Sequence, residues 1–219
     1  MKYKLDLPAL PVLPALLLVI VLTACAAACA NKPPEDPKDY VSTIAAWRAA
    51  RDADFKSGSN SPVPENRRAE LLPLGYFPID PEYKTAATLK PSDDTAVIPF
   101  ATSTGTVRQM RRAGALEFTL KGQPLKLTAF VEVGAPNNDR LFMPFNDLTS
   151  GTETYPGGRY LDLERNVTGI YEIDFNRAYF PYCYYSPTYE CPYPPAENRL
   201  KIPVRAGERF KTENSKLKT

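Results

Sequence analysis

The sequence predicts a mainly β domain: an antiparallel β-sandwich or open barrel with an amino-terminal helix packed on it. Three observations predict it. After residue 74 the apolar residues recur in short runs of period two, separated by turn signals. No helical run alternates with these strands, which argues against a parallel sheet. Proline supplies 23 of 219 residues, about twice its average share, so the chain holds many fixed turns.

Residues 1–24 read as a leader. Lys2 and Lys4 precede an apolar run broken by Pro8, Pro11 and Pro14, and Leu22-Thr23-Ala24-Cys25 resembles the lipobox of bacterial lipoproteins. Cys25 is the expected lipidation site; Cys29 suits the role less, with Ala26 at its −3 position. A membrane span needs about 20 apolar residues, more than this interrupted run offers. The expected location is the cell envelope, lipid-anchored and facing an extracytoplasmic space. With Ala26 rather than an aspartate after the lipidated cysteine, this is the outer membrane where the host has one. Residues 25–36 then form a tether, 37–210 a single β-rich domain, and 211–219 a disordered tail.

Asp36-Pro37-Lys38-Asp39 opens a helix, with an N-cap residue, proline at N1 and an acid against the dipole, and Gly58 closes it. Tyr40, Ile44, Trp47 and Phe55 form its apolar stripe, while Arg48, Arg51, Asp52 and Lys56 supply its polar remainder. Trp47 is read as an anchor onto the domain, with ligand stacking as its other use. A short second helix is expected near 65–72. Strands are expected over 83–89, 95–101, 105–111, 115–121, 125–133, 140–144, 159–164, 170–176 and 201–205, with a hairpin turn at 121–124.

In "RYLDLE" and "IYEIDFN" the apolar faces, joined across residues 165–169, set Asp162 and Glu164 beside Glu172 and Asp174. Four carboxylates on one face call for solvent, arginine partners or a hard cation such as calcium.

Composition excludes several functions. There is no histidine, which removes the usual base of serine and cysteine hydrolases and the commonest ligand of zinc, copper and iron. Without residues 1–24 the 27 basic and 25 acidic residues become 25 and 24, a net charge of +1. No nucleic-acid partner is expected from so balanced a chain, and no cofactor or metal is expected either.

The segments "LPLGYFPIDPEYK", "LFMPFNDLTSGTETYPGGRYLDL", "DFNRAYFPYCYYSPTYECPYPPAENRL" and "IPVRAGER" together resemble the bacterial and archaeal family catalogued as domain of unknown function 1684, over about residues 40–210. The resemblance implies no activity. It marks Gly157-Gly158-Arg159-Tyr160-Leu161-Asp162, Asp174-Phe175-Asn176 and Cys183…Cys191-Pro192 as signature positions. Phe180 departs from the pattern, where a residue such as Asn is expected, and is read as a surface-loop difference.

Cys183 and Cys191 read as a disulfide closing a small loop in an oxidising compartment; paired buried thiols or a catalytic thiolate beside Arg177 or Arg199 are the alternatives. The bridge, prolines and tyrosines would brace the 180–195 loop, either as a recognition surface or as a lid on the sheet. Arg159 shares the leucine face of its strand and needs a carboxylate, with Glu153 and Asp174 as candidates.

The expected function is to bind a small or oligomeric ligand, of carbohydrate or envelope origin. The site comprises Glu153, Arg159, Asp174, Asn176 and Asn198, with the tyrosine loop as rim. A histidine-free hydrolase using Glu153 and Asp174 as a carboxylate pair is the alternative, and a purely structural envelope lipoprotein is a third.

Overall fold

A computed structural model describes residues 36–136 and 139–211 of the chain; the leader, Cys25, Cys29 and residues 212–219 lie outside them. Seven strands build one antiparallel sheet: β1 Lys84–Pro91, β2 Val97–Ala101, β3 Val107–Leu120, β4 Gln123–Glu132, β5 Arg140–Phe145, β6 Arg159–Glu164 and β7 Ile170–Asp174. Their order is β6-β5-β4-β3-β1-β7, with β2 paired to the first half of β3. β6 and β7 follow each other in sequence yet end the order on opposite sides, so the sheet curls into a nearly closed barrel. The predicted fold class holds in its open-barrel form.

Period two explains what fills the barrel. Leu127 and Ala129 of β4, Leu141, Met143 and Phe145 of β5, and Leu161 and Leu163 of β6 share the inward face. The even positions of these strands therefore point outward. The two-residue turn between β3 and β4 places Lys121 at φ 47° and Gly122 at φ 77°, the positive pair that matches strand twist in a tight hairpin.

The predicted strands over 105–111 and 115–121 are one strand, β3, with a register shift between Arg112 and Gly114. Before the shift Met110 lies opposite Glu132; after it Leu116 lies opposite Leu127. One extra residue moves the even positions of β3 from the outer face to the inner one, as a β-bulge does. β1 lies tight against the strand there: a Cβ on Gly114 would run into the Lys90 carbonyl.

The predicted strand at 201–205 is absent. Its backbone groups are drawn out of any ladder by side chains: Arg159 donates to the Val204 carbonyl at 2.7 Å, and the Val204 N–H donates to Asp147 at 3.3 Å. The 170–176 strand ends at Asp174, whose carboxylate accepts the Asn176 N–H at 3.0 Å and turns the chain into a single 3-10 turn, Phe175–Arg177.

The amino-terminal helix α1 spans Pro37–Ser57, and the Gly58 N–H closes its last turn on the Asp54 carbonyl at 2.7 Å. Tyr40, Ile44 and Phe55 are buried as expected; Trp47 is only half-buried. The polar remainder is the surprise. Arg48 donates to the Phe77 carbonyl at 2.9 Å, Asp52 accepts the Leu74 N–H at 2.8 Å, and Arg51 pairs with buried Glu208 at 2.7 Å. The helix is thus fastened by its charges as well as its stripe. Glu208 also accepts the Phe180 N–H at 2.7 Å and the Tyr185 hydroxyl at 2.6 Å. Phe180 is not a surface residue: it is buried with Phe55, Val63, Leu71, Leu74 and Tyr185 in a second apolar cluster.

Candidate functional site

The bulge in β3 turns Arg108 and Met110 to the outer face of the sheet, where Glu132 of β4, Arg140 and Phe142 of β5 and Tyr160 of β6 also point. Residues 179–192 fold back over this face and leave a cleft of about 420 Å³. Arg108 crosses the cleft, with Glu132 at 3.3 Å on one side and Glu190 at 3.0 Å on the other. Its third nitrogen donates to the Glu190 carbonyl at 3.2 Å. Hydrogen bonds from Thr106 and Arg108 hold the Glu190 carboxyl below the usual carboxylate range, so it is an anion near neutral pH. Arg140 stands exposed at the mouth and, among the described residues, no carboxylate pairs with it.

The overlying loop is tied down along its length. Tyr160 and Tyr179 exchange backbone bonds of 2.9 and 3.1 Å, and the Tyr160 hydroxyl donates to the Pro192 carbonyl at 2.6 Å. Ser103 takes the Cys191 N–H at 3.0 Å and donates to the Tyr189 carbonyl at 3.0 Å. The rings of Tyr182 and Tyr189 meet edge to face at 5.3 Å above the cleft. Cys191 lines its wall, and the Cys183 N–H donates to the Cys191 sulfur at 3.2 Å. The two sulfurs are not bonded to each other in this structure. The Cys191 sulfhydryl lowers the Cys183 thiol to about 6, and the same contact together with burial raises Cys191.

The sequence profile of a family described as "Protein of unknown function (DUF1684)" matches residues 70–209, a span that holds the whole cleft. This chain belongs to that family. Its fold is similar to the solution NMR structure of an uncharacterised protein from gene locus rrnAC0354 of Haloarcula marismortui. The two are 36% identical with a TM-score of 0.64, over 83% of this chain and 100% of that one. No curated protein matches.

Within this DUF1684 domain the five sequence-predicted site residues do not share a hollow. Arg159 is fully buried, and its partner is Asp147 at 2.7 Å rather than Glu153 or Asp174. Its two terminal nitrogens also reach the carbonyls of Val204, Ala206 and Glu208, so the guanidinium straps residues 204–208 to the barrel. Glu153 pairs instead with Arg205 at 2.9 Å. Asp174 and Asn176 do come together: both bond the Tyr40 hydroxyl, at 2.9 and 2.8 Å, and Asn176 grips the Asp80 backbone at 2.8 and 3.0 Å.

Asn198 is buried between β4 and β5, accepting the Thr128 N–H and donating to the Thr128 and Pro144 carbonyls, each at 2.8 Å. Continuing the Phe130–Phe142 register puts Pro144 opposite Thr128. Proline has no N–H for the ladder, and the Asn198 amide fills that gap.

The expected four-carboxylate face does not form, because β6 pairs with β5 and β7 with β1. Asp162 accepts the Tyr179 hydroxyl at 2.6 Å, and Glu172 pairs with Lys84 at 3.1 Å. The cleft residues Arg108, Glu132, Arg140 and Glu190 escaped sequence reasoning. Alternation alone puts Arg108 on the inner face with Leu116, and the bulge near Gly114 is what overturns it.

Proposed function

We propose that this chain is a lipid-anchored, extracytoplasmic protein whose DUF1684 domain binds a carbohydrate-type ligand in the cleft beneath the 179–192 loop. The supporting observation is the cleft's mixture of faces: the exposed ring of Tyr182 and the half-buried ring of Tyr189 above Arg108, which is held between Glu132 and Glu190. Polyhydroxylated rings present apolar faces edged by donors and acceptors. Aromatic rings match the first and an ordered carboxylate–guanidinium set matches the second. The two arginines and two glutamates of the lining balance in charge, which suits a neutral sugar. The anchor reading rests on Leu22–Cys25. Among the described residues no helix is long and apolar enough to cross a membrane. A Cys183–Cys191 disulfide, formed with loss of two protons and two electrons to an external oxidant, would lock the loop over the cleft.

Glu153 and Asp174 do not support the hydrolase alternative, since each is bound to its own structural partners. Calorimetric titration of the domain with N-acetylglucosamine oligomers, peptidoglycan fragments and glucose oligomers tests the binding reading. Saturable heat is expected for at least one set. Arg108→Ala, shown folded by circular dichroism, should weaken binding by about 1.5–3 kcal/mol, the worth of hydrogen bonds to a charged group. Absence of heat with every set, or full affinity in Arg108→Ala, would remove the cleft as a sugar site.

A further inference from the structure

A second cleft, of about 430 Å³, lies along α1 and is lined by Trp47, Arg51, Asp54, Phe55, Asn60 and Tyr182 among others. Tyr182 lines both clefts. Its ring meets Phe55 of the second at 6.0 Å and Tyr189 of the first at 5.3 Å, both edge to face, so three aromatic rings run in series from one to the other. Trp47 is a half-buried indole outside the apolar cluster that takes in Phe55; Arg177 at 5.4 Å and Arg51 at 5.9 Å from its centre flank it. Beside it the Arg51 guanidinium spends one donor on Glu208, while its NH2 nitrogen is buried with no partner among the described residues. That nitrogen is closed off from the cleft, so what Arg51 contributes to this wall is its guanidinium face, stacked over Phe55 at 4.4 Å and Tyr179 at 5.0 Å.

We infer that the two clefts are subsites of one groove, and that the ligand is an oligosaccharide chain crossing Tyr182 to reach Trp47. The inference rests on the carbohydrate reading of the first cleft and adds the length of the ligand and a second set of contacts. Each cleft alone falls near the small end of ligand pockets, roughly 300–1,000 Å³. A chain filling both gains the second contact set without a second loss of rotational and translational freedom, so affinity should climb with chain length.

The probe is N-acetylglucosamine as mono-, di-, tri- and tetrasaccharide, titrated calorimetrically into the domain. Affinity is expected to rise at least about tenfold from the shortest to the longest. Trp47→Ala should reduce tetrasaccharide affinity about tenfold while leaving the monosaccharide's unchanged. Asn60→Trp, which fills the second cleft from an exposed loop position, should do the same, and so guards against a folding defect in Trp47→Ala. Tyr182→Ala should weaken every length. Length-independent affinity, or tetrasaccharide binding untouched by both Trp47→Ala and Asn60→Trp, overturns the groove and leaves the single sugar cleft standing. No binding at any length by the N-acetylglucosamine, peptidoglycan or glucose sets overturns the carbohydrate reading itself, and the groove with it.

Discussion

Arg159 sits in a barrel wall with no solvent to share its charge, and Asp147 is the group that makes this tolerable. Both side chains are at most 1% exposed, and the pair is joined at 2.7 Å. Burial lowers the guanidinium's affinity for its proton and the Asp147 carboxylate opposes that, so the ion pair is a strut. Removing one member strands the other in the interior, at a cost of about 3–5 kcal/mol. Asp147→Ala is therefore expected to lose that much stability in urea unfolding. Glu153→Gln, which breaks only the solvent-accessible pair with Arg205, should unfold at nearly the wild-type midpoint. Equal losses from the two substitutions would restore Glu153 as the partner. The need of Arg159 for a carboxylate was legible, since its position on a leucine face demands one. Which carboxylate was not: Asp147 lies twelve residues before it, on a loop whose path depends on β5 and β6.

Elements fail where a residue breaks the ladder, and β4–β5 is such a place. Pro144 cannot donate to Thr128, and a side chain from residue 198, far along the chain, completes the seam. Asn198 uses its amide as one acceptor and two donors there. Asn198→Asp keeps shape and acceptor but removes both donors. It is expected to cost about 2–3 kcal/mol, close to the loss from Asn198→Ala, because buried carbonyls lose their partner. A ligand-binding role without structural duty would leave the melting temperature of Asn198→Asp unchanged and alter titrations alone. Most strands were legible because their alternation is local. The fusion of two predicted strands into β3 was not, since the bulge at Arg112–Gly114 is defined by pairing across to β4. The false strand at 201–205 has the same origin: its pattern is β-like, but Arg159 and Asp147 claim its backbone.

The whole molecule is bound together by Glu208, where α1, the tyrosine loop and the carboxyl-terminal strap meet through Arg51, Phe180 and Tyr185. The proposed bridge in this loop and the proposed lipid anchor are two covalent predictions that one experiment reads. Intact-mass analysis of protein purified from membranes should find an acylated amino-terminal Cys25 and a mass two hydrogen atoms below that of the dithiol form. Cys25→Ser should release the protein from the membrane fraction. An unlipidated membrane-free protein, or two titratable thiols at Cys183 and Cys191, would contradict the respective half. What the sequence determined by itself was local: the β class from period-two alternation, α1 from its cap, stripe and glycine stop, and the tight turn at Lys121-Gly122. Only the tertiary structure decided which charged groups meet. Strand order separates β6 from β7, and a single-residue bulge decides which face Arg108 takes; both depend on hydrogen bonds between segments distant in the chain, whose partners no local pattern encodes.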